Sequence, residues 1–93
     1  MKVEQFYNKN QFRLYGEGKD ILQSYNSTVV VIDRGTGEIT LGEDWDYSTT
    51  TSKHVYLFLE DYANINFYGV TNKRNYVRKL IENGAIKYDS NLR

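Results

Sequence analysis

Residues 27–41 read STVVVIDRGTGEITL: a β-branched run, a loop with two glycines, and a shorter run that returns. The first run is too short for a helix, and its branched side chains favour the extended backbone. In strict alternation Val29 and Val31 lie on one face and Val30 and Ile32 on the other. Apolar residues on both faces point to a central strand, with helix covering one side. Residues 33–37, DRGTG, form a tight loop whose glycines can take positive φ, and the return strand places Ile39 and Leu41 on one face. This hairpin anchors the fold.

Towards the N-terminus, QFRLYGE at 11–17 alternates Phe12 and Leu14 with Arg13 and Tyr15, GEGKD supplies a bend, and DILQSY at 20–25 alternates again. A second hairpin is expected there, and VEQFY at 3–7 adds a short edge strand through the polar bend at residues 8–10. Beyond residue 50 the period changes. Val55, Phe58, Leu59 and Tyr62 recur at i, i+3, i+4 and i+7, which predicts a helix over about 50–63. Thr71 is the expected N-cap of a second helix over about 72–83, with Tyr76, Val77, Leu80 and Ile81 as its apolar stripe. Gly84 ends that helix, Ala85 touches Leu80, and residues 85–89 form a last short strand. The expected fold is α+β: one domain over 1–93, an antiparallel sheet of three to five strands, and two helices on one face.

Twelve basic and twelve acidic side chains balance, so no net charge draws the chain to a polyanion or an anionic membrane. Their order along the chain is uneven. Residues 33–61 hold seven acidic and two basic groups, while residues 62–93 hold two acidic and six basic. The absence of cysteine removes disulfides and thiolate metal sites. No signal-like leader or long apolar run stands out, which gives a cytoplasmic expectation with no membrane partner. Nine tyrosines suit a half-exposed sheet or a contact surface, and an exposed tyrosine-rich sheet face is open as a homo-oligomer interface.

The segment WDYSTTTSKH, 45–54, holds the only Trp and the only His. Its hydroxyls precede the first helical stripe and can cap the free N–H groups of the helix. Trp45 and Tyr47, two residues apart, face the same way in an extended approach and cover the helix end like a lid. Ser48, His54, Asp44 and Asp46 have the residue types of a hydrolytic triad, yet no nucleophile elbow or oxyanion-hole glycine accompanies them. Glu43, Asp44 and Asp46 lack the spaced ligands of a Ca²⁺ or Mg²⁺ loop, so no metal and no cofactor is expected. The protein-binding candidates are Glu43, Asp44, Trp45, Asp46, Tyr47 and His54. The nucleic-acid alternative uses Lys73, Arg74, Arg78 and Lys79 on the second helix, with Tyr68 or Tyr76 to stack on bases.

The segment WDYSTTTSKHVYLFL, 45–59, resembles a W-D-Y-S-x-T-T-x-K-H-x-x-x-F-L pattern in small proteins of unknown function from phages and mobile elements of Gram-positive bacteria. LQSYNSTVVVI and RKLIENGAIKY are similar to other landmarks of the same family. The resemblance implies a phage or mobile-element context and carries over no catalytic residue. It gives the leading expectation its form: a non-enzymatic accessory protein that binds a host protein, such as an inhibitor of a CRISPR effector.

Overall fold

The computed structural model describes residues 1–92. Five strands come first: β1 (Lys2–Phe6), β2 (Asn8–Gly16), β3 (Lys19–Ser24), β4 (Ser27–Asp33) and β5 (Ile39–Gly42). A 3₁₀ turn (Glu43–Asp46) leads into α1 (Thr49–Ala63), followed by α2 (Lys73–Glu82) and β6 (Lys87–Asp89). One sheet holds all six strands in chain order. Every neighbouring pair is antiparallel except β5 with β6. The chain returns to the sheet through both helices, and a crossover of that length allows the parallel pairing.

The α+β expectation holds, with six strands rather than three to five. Both edge strands expected at 3–7 and 85–89 are present, as β1 and β6, and bring the total to six. All but Phe6 of β1 is exposed, as is all of β6, so neither carries the alternating burial that makes an inner strand conspicuous. The hairpins at 11–24 and 27–42 form as expected. In the second, Gly37 takes φ 77°, and its N–H closes the loop on the Asp33 carbonyl at 2.7 Å.

Strict alternation fails in β4. Leu22 pairs with Val30 but Gln23 pairs with Thr28, so Val29 is an extra residue opposite that step. Such a bulge shifts the phase of the pleat. Val29, Val30 and Ile32 are all buried as a result, and Val31 alone is left half-buried on the far face.

Helix α1 begins and ends on local chemistry. Ser48 is extended (φ −143°) and its hydroxyl accepts the Thr51 N–H, while Asn64 stops the helix in the left-handed region at φ 56°. The N-cap of α2 is Asn72, whose side chain accepts the Asn75 N–H at 3.0 Å, instead of the expected Thr71. Gly84 takes φ 83° as expected, but Ala85 stays exposed and Ile86 closes the end. The Ala85 N–H turns to the Asn83 side chain, and the Ile86 N–H reaches the Leu80 carbonyl at 3.1 Å.

Both helices contribute to one core. Leu22, Val30, Ile32 and Leu41 from the sheet meet Val55, Phe58 and Leu59 of α1 and Val77 of α2, with Trp45 and Ile86 in the same cluster. Burying a side chain of this size contributes about 1.5–3 kcal/mol, and the cluster therefore fixes how α1 and the turn before it meet β3 and β4. Among the described residues no helix is long and apolar enough to cross a membrane.

Candidate functional site

The residues between β5 and α1 divide sharply. A 3₁₀ turn advances about 120° per residue, so side chains two apart point away from each other. Trp45 is buried at 4% exposure and Tyr47 stands out at 80%. This corrects the expectation of a shared lid. His54 is buried too, its ring Nδ1 lies 2.7 Å from the Thr50 carbonyl, and Phe6 packs edge-on beside it. A carbonyl oxygen only accepts, so Nδ1 carries the proton. Trp45 and His54 thus belong to the core and give a partner no exposed surface.

The triad residue types are not assembled with one another. The Ser48 hydroxyl caps α1 and lies 3.2 Å from Thr51 Oγ1, and the Ser27 hydroxyl donates to Asp44 Oδ2 at 2.9 Å. Asp46 turns towards α2, 3.8 Å from Arg74 and 3.5 Å from Arg78. The acidic segment and the basic helix therefore partly neutralise each other. These ion pairs are solvent-exposed and long, worth about 0–1 kcal/mol each. The basic residues themselves separate: Lys73 and Arg74 line a groove of about 640 Å³ with Lys53 and Tyr56, whereas Lys79 lines another with Val70 and Tyr76. Tyr76 packs against Phe67, which leaves Tyr68, at 94% exposure, as the freer of the two stacking candidates.

A smaller hollow of about 320 Å³ sits beside the split turn, lined by Ser24, Tyr25, Ser27, Val29, Asp44, Tyr47 and Thr51. Tyr25 and Tyr47 are its exposed aromatics, and the Ser27–Asp44 pair supplies its polar wall. Tyr25 opens the two-residue turn between β3 and β4 at φ 55°, in a region glycine normally occupies in such turns. A side chain there costs about 1–2 kcal/mol, as it does at Tyr7 and Glu17, which take similar φ values elsewhere in the sheet's turns. Neither Tyr25 nor Ser27 was a sequence candidate. The turn in QSYNS carries no glycine to announce itself, and its meeting with residue 47 depends on tertiary structure.

Beneath this hollow runs a buried polar chain. Gln11 Nε2 donates to Ser24 Oγ at 2.9 Å, and Ser24 Oγ lies 3.0 Å from Thr51 Oγ1. Thr51 is therefore the surplus hydroxyl of the helix start that links α1 to the sheet. Gln11 Oε1 is the one buried side-chain oxygen without a partner among the described residues.

A second polar cluster lies on the same face of the sheet. Asp20, 2% exposed, is gripped by Arg13 at 2.7 Å and Arg34 at 2.6 Å, and Arg13 also reaches Glu4 at 2.8 Å. The Arg13 guanidinium stacks between Tyr15 and Tyr62, 4.0 and 4.2 Å from their ring centres. Burial alone would raise the Asp20 carboxyl pKa, but hydrogen bonds from Arg34 and Arg13 outweigh it and hold the group below its ordinary value. With every charge engaged, this cluster serves as a brace between β1–β4 and α1. Among the described residues no group of three His, Cys, Asp or Glu side chains is placed to hold a metal ion.

No curated protein and no solved structure matches the chain. A family model described as a family of unknown function, DUF8033, does match, over residues 1–83, which takes in β1 to α2 and leaves out β6. That match covers most of the chain and every residue of the hollow, and the protein belongs to the DUF8033 family.

Proposed function

We propose that the protein acts by binding another protein, whose basic side chain enters the hollow between Tyr25 and Tyr47. The observation that carries this reading is one hollow lined by two exposed tyrosines, Tyr25 and Tyr47, together with the Asp44 carboxylate. Rigid aromatic faces lose little entropy on contact, and a guanidinium or ammonium is drawn to them and to a carboxylate. Asp44, on the wall of the hollow, favours a partner group of positive charge. The narrower form, a phage or mobile-element factor that inhibits a host defence protein such as a CRISPR effector, rests on the resemblance of residues 45–59.

The test is amide chemical-shift mapping with short capped peptides carrying Arg or Lys, beside matched peptides carrying Glu. The expected result is shifts confined to residues 24–29 and 44–51, given by the basic peptides and abolished by Tyr47→Ala. Shifts spread evenly over the surface, or none at millimolar peptide, would remove this reading.

A second reading has its own support. The 640 Å³ groove between the helix starts collects Lys53, Lys73 and Arg74, an arrangement suited to a phosphate backbone. Glu60 on the same wall opposes it. Oligonucleotide binding that weakens steeply with salt and is lost in Lys73→Ala, Arg74→Ala would favour this reading over the first.

A further inference from the structure

The register of the sheet sets four aliphatic residues side by side across its first four strands. Val3 pairs with Leu14, Leu14 with Ile21, and Ile21 with Val31. Paired residues share a face, and the alternate positions Arg13, Leu22 and Val30 face the helices, so this row lies on the opposite side. Phe12, two residues from Leu14, joins it. Val3 is 63% exposed and the others are half-buried, and none of the five is among the partly buried residues that pack on the core. Beside Val31 the same face opens into a hollow of about 290 Å³, lined also by Lys19, Asp33, Glu38, Thr40, Asp89 and Leu92.

We propose that this face is covered by a second copy of the same chain, in a two-fold sheet-on-sheet dimer. Three features single out that occupant. An axis near Ile21 lays β1 and β2 of one copy over β5 and β4 of the other, so the Val3–Leu14 end of the row meets the hollow beside Val31. That is the self-complementarity a two-fold contact requires. The charges around the hollow are of both signs: Lys19 lies opposite Asp33, Lys87 is paired to Glu38 at 2.8 Å, and Asp89 is the one further acid, so a second copy meets little net charge there. Five strands about 4.8 Å apart and about six residues long project roughly 400 Å². The corrugated surfaces of two copies then bury on the order of 1,000 Å², the lower bound of specific association. The dimer is accordingly reversible. The row is aliphatic apart from Phe12, unlike the tyrosine-rich face that composition left open.

The experiment is sedimentation equilibrium of the full chain from about 10 µM to about 1 mM, a range that brackets weak association, for wild type, Ile21→Lys and Tyr47→Ala. The expected result is a rise from the 10.9 kDa monomer towards twice that mass for wild type and Tyr47→Ala, and monomer throughout for Ile21→Lys. Amide shifts of wild type with rising concentration should fall on residues 12–14, 21 and 31, a readout that does not depend on the variant folding. Wild type that stays monomeric, a dimer that survives Ile21→Lys, or shifts centred on Tyr25 or the free edge of β1 would each overturn the proposal. A monomer that still binds basic peptides at the Tyr25–Tyr47 hollow would leave the proposed function standing while this dimer fell.

Discussion

The hydroxyls of Ser24 and Thr51, 27 residues apart in sequence, lie 3.0 Å from each other and tie the first turn of α1 to β3. Because both residues are buried, the bond lies out of reach of water. Removing one partner leaves the other short of a buried contact, which costs about 1–3 kcal/mol. Thr51→Val keeps the shape and removes the hydroxyl. Its unfolding free energy from urea melts should fall by an amount in that range with an unchanged m-value, whereas that of Thr50→Val, on the exposed side of the same turn, should change little.

Asp20 makes stability depend on pH in one direction. Its carboxyl titrates lower in the folded chain than in the unfolded one, so its contribution is complete above the unfolded value near 3.8. That contribution drains away as pH falls through the folded value. Wild-type melting temperature should therefore drop more steeply below pH 4 than that of Asp20→Asn. At neutral pH, Asp20→Asn should lose about 3–5 kcal/mol, since it leaves Arg13 without its buried counter-charge. Similar acid slopes in the two proteins would contradict the ion-pair account.

Trp45 and Tyr47 should separate stability from binding. Trp45→Ala empties a core position and should cost about 3–5 kcal/mol, a large part of the total for a domain this size. Tyr47→Ala should stay within about 0.5 kcal/mol of wild type, as expected for an exposed position. Denaturation of both proteins checks the contrast, and the fluorescence maximum of the single Trp should be blue-shifted in the Tyr47 variant as in wild type.

Tyr25→Gly should relieve backbone strain at φ 55°, leaving the fold between unchanged and about 1 kcal/mol more stable. The same change removes one wall of the hollow and should abolish its peptide binding. Loss of function with no loss of stability would mark Tyr25 as a contact residue; a destabilised variant would show instead that the tyrosine ring supports the turn.

Much of the architecture was readable from local pattern. The 27–41 hairpin and the stripes at 55–62 and 76–81 repeat with their own period, so each could be placed without knowing its neighbours. Candidate site residues were less legible. Asp44 and Tyr47 line a hollow, while Trp45 and His54 are in the core, and Asp46 has turned to Arg74 and Arg78. Spacing along the chain did not distinguish these fates. An extended approach and a 3₁₀ turn rotate the side chains of residues 45 and 47 by very different angles.

By itself the sequence determined which segments are helical and, to about one residue, where they begin and end, which strands pair through short loops, and that the fold is α+β. Periodicity, caps and turns act over a few residues, and their energies are decided by adjacent side chains. The tertiary structure alone decided the bulge at Val29, the hollow that Tyr25 and Tyr47 both line, the engagement of Asp46 by α2, and which face of the sheet is left without helices. Each of these rests on contact between segments far apart in sequence, where burial and register rather than local preference set the energy.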